Sequence, residues 1–191
     1  MEFPFVILLG GLITPFIVLC FCAFYWGRSR SKERVELAWQ TYARRHRLTY
    51  LPSAGNWPHR SAPRIEWSED GHAFRLEASG EETFSTTRLV ARPAVAVLGE
   101  LLVTGPAGEA ARREGATPLD PRFIVWAQPT AFAERVLTTE VKRVLLGFGP
   151  KAFSYRRGEV TLGWAGGEEN DARLDEARAV VRRVVAAMTR A

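Results

Sequence analysis

Residues 27–191 contain no cysteine, so no disulfide can staple this part of the chain; Cys20 and Cys22 both fall in one apolar run near the start. That usage fits a reducing compartment. Lysine is nearly missing as well, at positions 32, 142 and 151 only, while the basic total with arginine is 26. The arginine bias, with abundant alanine and glycine, points to GC-rich coding of bacterial type. Histidine occurs at His46, His59 and His72. None of these is spaced as H-x-x-x-H or H-E-x-x-H, and no cysteine lies near them, so a zinc site is not expected. The glycine stretches Gly147-Phe148-Gly149-Pro150 and Ala165-Gly166-Gly167-Glu168 lack the Lys-Ser/Thr of a phosphate loop. Charge of one sign is also lacking. Residues 27–191 hold 26 basic and 20 acidic residues, a balance of +6, and four of the bases sit together at the start. A spread-out excess of this size argues against a nucleic-acid partner.

What is present first is the run Phe3 to Trp26, FPFVILLGGLITPFIVLCFCAFYW, uninterrupted by charge. As a helix it would rise roughly 36 Å, against a hydrocarbon core of about 30 Å. It predicts one transmembrane helix, with the lipid bilayer as partner of residues 3–26. A cleaved signal is disfavoured by the Met-Glu start, the length of the run and its bulky end. Tyr25 and Trp26 suit the headgroup level, and Arg28, Arg30, Lys32 and Arg34 follow as a basic collar. This charge step predicts an outside N-terminus and a cytoplasmic C-terminal domain at the inner membrane. The expected organisation is an anchor over 1–26, a collar over 27–34 and one domain over 35–191.

Periodicity along that domain predicts a helix over 32–47, with Val35, Ala38, Trp39, Tyr42, Ala43 and His46 on one stripe. Short strands follow at Leu48–Leu51, Arg64–Glu69, His72–Ser79, Phe84–Arg92 and Ala94–Thr104. Asp70-Gly71 marks a hairpin. Residues 105–121, GPAGEAARREGATPLDP, predict a surface loop. RFIVWA, from Arg122 to Ala127, is apolar on both faces and suits a central strand. Pro129 opens a helix with a stripe from Phe132 to Phe148. A hairpin around Arg157-Gly158 and a final helix over Asp171 to Thr189 complete the order. Trp39, Trp67, Trp126 and Trp164 are each expected to face the core. Strands in sequence without intervening helices predict an α+β fold: a mostly antiparallel sheet packed against three helices, preceded by the transmembrane helix.

The segments Trp39-Gln-Thr-Tyr-Ala, Gln128-Pro-Thr-Ala-Phe-Ala-Glu-Arg-Val-Leu137 and Phe153-Ser-Tyr…Gly158-Glu-Val-Thr-Leu-Gly-Trp164 resemble a group of uncharacterised bacterial single-pass membrane-anchored proteins of actinobacterial and myxobacterial type. The resemblance covers residues 36–189 loosely and departs at Gln128, where the group has an aspartate. It implies the architecture and no activity.

Two clusters invite chemistry. Glu66, Glu69 and Asp70 lie near His72 around a hairpin, where carboxylates and a histidine could exchange protons. A charged hairpin tip is a far commoner reason for such a cluster. Ser85, Thr86 and Thr87 beside Arg88 could hold an anion, yet are ordinary strand formers. No cofactor, metal or catalytic residue is therefore expected. The sequence predicts a membrane-tethered, non-enzymatic interaction or regulatory domain with a protein partner. The alternative is a small-ligand-binding or enzymatic domain whose site is assembled from scattered residues.

Overall fold

The computed structural model describes residues 16–20, 32–54, 61–79, 86–95 and 97–189. Helix α1 spans residues 32–46. Strands β1 (Thr49–Leu51), β2 (Arg64–Glu69), β3 (His72–Ser79), β4 (Thr86–Arg92) and β5 (Glu100–Thr104) follow. A 3-10 turn, Ala110–Arg112, precedes β6 (Thr117–Asp120) and β7 (Phe123–Gln128). Helices α2 (Thr130–Val136) and α3 (Thr139–Phe148), strands β8 (Ala152–Arg156) and β9 (Glu159–Ala165), and helix α4 (Asp171–Thr189) complete the chain.

All nine strands form one sheet in the order β1-β2-β3-β4-β9-β8-β5-β7-β6, every pair antiparallel. The hairpin β8–β9 is inserted between β4 and β5. The β2–β3 and β8–β9 hairpins turn where the sequence requires: Asp70-Gly71 has φ of 53° and 78°, and Arg157-Gly158 has 52° and 78°. Two positive φ values in succession are those of a type I′ hairpin turn, whose twist matches the flanking strands.

Register explains the core. Tyr50, Ile65, Leu76, Leu89, Leu162, Phe153, Val103 and Val125 are paired in one row across eight strands. From Ile65 to Val125 every member is buried. The helices cover this face. From α4 come Leu174, Ala177, Val181, Val184, Val185 and Met188; α1 adds Val35, Trp39, Tyr42 and Ala43; α2 and α3 add Phe132, Val136, Val141, Leu145 and Phe148.

The opposite face is open to solvent over much of its area and carries ion pairs along single strands, Arg64–Glu66 and Arg75–Glu77, and one across strands, Arg92–Glu159. Towards β5 and β7 it becomes apolar, and a strap formed by residues 105–116 lies across it. Ala110 is fully buried there, its N–H donating to Thr104 Oγ1. Glu109 accepts from both Arg113 and Arg156. The Trp126 indole donates to Glu114 O, with the Arg113 guanidinium 5.2 Å from its ring. Beneath the strap Leu102 is only 3% exposed.

The α+β architecture is therefore present, but several expectations need correction. Among the described residues four α-helices and a 3-10 turn accompany the sheet, besides the helical stretch 16–20, where three helices packed on the sheet were expected. The stripe over 129–148 is divided because Leu137 leaves helical geometry (φ −84°, ψ 59°) and Thr138 caps a new helix by accepting from Val141 N. Among the described residues no helix is long and apolar enough to cross a membrane. Of the expected transmembrane helix over 3–26, only residues 16–20 are described, and they are helical; the rest of that span lies outside the described residues. Trp126 faces the strap rather than the helices. Part of the 105–121 loop is strand β6.

Leu174 is 2% exposed beneath α4. Leu174→Ala should lower the unfolding free energy of the chain by about 2–5 kcal/mol. Arg143→Ala, on the exposed side of α3, should change it by less than about 0.5 kcal/mol. Denaturant titration followed by circular dichroism reads both.

Candidate functional site

The carboxylates and histidine singled out at the β2–β3 hairpin are separated by the strand period. Glu66 points to the open face and pairs with Arg64 at 3.0 Å. Glu69 ends β2 on the helix side, where α4 passes over it. Its two oxygens are taken by two arginines one helical turn apart: Arg178 Nη2 donates to Oε2 at 2.8 Å, and Arg182 Nη2 lies 3.1 Å from Oε1. Spacing of i and i+4 puts both cations on the same stripe of α4. Arg182 also approaches Asp70 at 4.0 Å. The Arg178 guanidinium stands 5.4 Å from the Trp67 ring, which is stacked on Phe74. Trp67 is thus half-buried under a cation.

Beside this network, the Tyr42 hydroxyl donates to Asp175 Oδ1 at 2.8 Å, and His46 Nε2 lies 3.6 Å from the same oxygen. His72 does not join either group. Its Nδ1 accepts from Ala94 N at 2.9 Å, fastening the start of the β4–β5 connection. His59 lies outside the described residues.

The electrostatics follow from these contacts. Burial alone would raise the Glu69 carboxyl, but the hydrogen bond and charge of Arg178, with the charge of Arg182, outweigh it and hold Glu69 below the usual carboxylate range. Arg178 is raised in turn: desolvation opposes its charge and Glu69 more than restores it. Burial, then the hydrogen bond to Asp175, pushes the Tyr42 phenol up. Each shift moves a group away from neutral pH, the reverse of what proton transfer needs.

An open cleft of about 390 Å³ lies over this hairpin, lined by Glu69, Asp70, His72, Phe74, Arg182 and Arg183 among others. A second, of about 680 Å³, lies on the other flank of α4, between its last turns and the α2–α3 corner. Arg135, Thr138, Thr139, Glu140 and Arg183 line it. Arg183 reaches Glu140 at 3.5 Å. Among the described residues no group of three or more histidine, cysteine, aspartate or glutamate side chains is placed to hold a metal ion.

The hydroxyl cluster is also divided by the strand period. Ser85 lies outside the described residues, and Thr86 and Arg88 face the open side. Thr87 is wholly buried and holds the β9–α4 turn, donating to Gly166 O at 2.7 Å and accepting from Glu168 N at 3.2 Å. Of the collar residues, Tyr25, Trp26, Arg28 and Arg30 lie outside the described residues. Lys32 begins α1, and Arg34 lies 3.9 Å from Glu169.

Arg178 is half-buried, with Glu69 as partner 109 residues away. Only the alternation of β2, which puts Glu69 on the same face as Ile65 and Trp67, hinted that an acid there would need a cation.

No family model and no curated protein matches the sequence. Among solved structures, the fold is similar to the crystal structure of the mycobacterial trehalose monomycolate transport factor A, TtfA. The match has a TM-score of 0.61 at 12% identity, covering 80% of this chain and 93% of that one. At that identity the likeness shows the fold.

Because Glu69 sits below its ordinary range, its pairs stabilise the fold above the unfolded-state value near 4.3. That stability is lost as pH falls through the lower folded value. Glu69→Gln should therefore reduce stability at pH 7 and flatten the acid limb of a stability–pH profile. Arg178→Ala, which leaves Glu69 with Arg182 alone, should cost about 1–2 kcal/mol at pH 7, less than a fully buried pair.

Proposed function

We propose that this domain is a non-enzymatic accessory factor that acts by binding a protein partner. One observation carries the reading. In the cleft that gathers the most titratable groups, both oxygens of Glu69 are already committed to Arg178 and Arg182. A carboxylate held by two arginines neither donates nor accepts a proton near neutral pH, and each of its oxygens already faces a guanidinium. The chemistry of the cleft is spent on joining α4 to the β2–β3 hairpin.

The fold likeness supports the same class. The protein with the similar fold is described as a transport factor for trehalose monomycolate, and we extend to this chain the role of a factor that assists a transport process. A protein partner is favoured over nucleic acid because four arginines of the open sheet face are matched by acids, Arg64–Glu66, Arg75–Glu77, Arg92–Glu159 and Arg156 with Glu100 and Glu109. A nucleic-acid surface needs a stripe of unmatched cations.

Complementation tests the reading. In cells deleted for the gene, a full-length Glu69→Gln/His72→Ala/Arg182→Ala variant should restore function as wild type does, provided its melting curve shows it folded. Loss of function in a folded triple variant would place a ligand or a reaction in the cleft and overturn the non-enzymatic reading.

A further inference from the structure

The inserted hairpin β8–β9 forces the β4–β5 connection, described over residues 93–95 and 97–99, to cross the ends of two strands. Three strand spacings are about 14 Å, and seven residues reach at most about 24 Å. The connection runs along the helix side of the sheet, and its backbone is fastened at three points. Ala94 N donates to His72 Nδ1. The fully buried Tyr155 hydroxyl donates to Val97 O at 2.6 Å and accepts from Val97 N at 3.0 Å. Gly99, at φ +139°, lies on the Phe132 ring so closely that a Cβ there would come within 2.8 Å of it.

With the backbone so held, Val95 and Leu98 cannot fold down, and they stand 66% and 92% exposed. Scattered exposed apolar side chains are ordinary on a surface. Two on a restrained backbone differ, because the conformational cost of presenting them has been met by the fold.

The neighbourhood defines what fits. The Arg135 guanidinium lies 5.6 Å from the Phe132 ring on which Gly99 rests, and it forms one wall of the 680 Å³ cleft beside α4. Arg135 and Arg157, the latter at the tip of the inserted hairpin, have no carboxylate partner among the described residues. We propose that this end of the domain binds an acidic amphipathic segment of another protein, with its apolar residues against Val95 and Leu98 and its carboxylates towards Arg135 and Arg157. A bilayer would meet the apolar side chains but could not enter the concave cleft that Arg135 lines. A second copy, docked about a two-fold axis through this end, would bring like charges together.

The inference rests on the accessory-factor reading, and its test separates the two. A photo-crosslinking amino acid, p-benzoylphenylalanine, replaces Val95 in the full-length chain expressed in its own cells, and crosslinked peptides are sequenced by mass spectrometry. The expected product joins Val95 to a segment of another protein in which acids flank apolar residues. Leu98→Ser and Arg135→Glu should each cut its yield about ten-fold or more, as for an interface anchor. Arg88→Glu, on the far face of the sheet, should not. Changing the segment's acid to lysine should restore the yield with Arg135→Glu. Crosslinks to lipid, to a second copy, to a segment without acids, or none at all would overturn the proposal, as would yields indifferent to Leu98 and Arg135. If a crosslinker at Arg88 captured the partner instead, this surface would fall while the accessory-factor reading stood.

Discussion

The buried hydroxyl of Thr87 and the turn it holds are the joint of this fold. Thr87 sits in the central strand β4 with no exposure, and such a group in the core must be satisfied. It is satisfied twice by the β9–α4 turn, through Gly166 O and Glu168 N. Glu168 distributes that anchorage. Its carbonyl accepts from the Trp39 indole of α1 at 2.7 Å, and its carboxylate accepts from the Trp164 indole of β9 and from Asn170 N. Asn170 in turn caps α4 through Ala172 N. One turn thus fixes the entry angle of α4, the seat of α1 and the end of β9. The apolar row beneath the helices can close only with these three in place.

The two faces of the sheet serve different ends. On the helix side, a one-residue slip at any strand would turn a buried row outward, so register is strongly specified. On the other side, exposed ion pairs contribute about 0–1 kcal/mol each. They keep the face soluble more than they hold it together. The edges are blunted too. Strand β1 has three residues, and β6 carries Pro118 with a register shift towards Asp120. Neither offers a long template for another chain.

Much of the architecture was legible because it is written in local periods. Asp70-Gly71 and Arg157-Gly158 announced hairpins, and the spacing of Leu174, Ala177, Val181 and Val184 announced the face of α4 that is buried. What escaped was non-local or cancelled locally. The apolar stripe runs on through Leu137, so periodicity cannot register one residue leaving the helix; the available signal was Thr138 as a capping residue with the acid Glu140 in the first turn after it. RFIVWA is apolar on both faces because a strap covers the second, so alternation could not orient Trp126. The run from Ala94 to Thr104 looked like a single strand because a connection stretched over a hairpin is as apolar as the strand it enters. The site suffered most. A hairpin tip bearing Glu69, Asp70 and His72 was visible, but the two arginines that claim Glu69 come from a helix more than a hundred residues later.

The inserted hairpin also bears on how the chain is made. Strands β4 and β5 are neighbours of β9 and β8, which are synthesised last among the strands. As the polypeptide leaves the ribosome at about 5–20 residues per second, two partial sheets exist with unpaired inner edges until residues 152–165 emerge. Those edges carry Leu89, Ala91, Leu101 and Val103, all buried in the finished fold, so the nascent chain passes through a stage open to mispairing, when a holding chaperone has the most to protect. Closure then depends on the last segments translated, and a chain released early keeps most of its residues without the strands that join its halves.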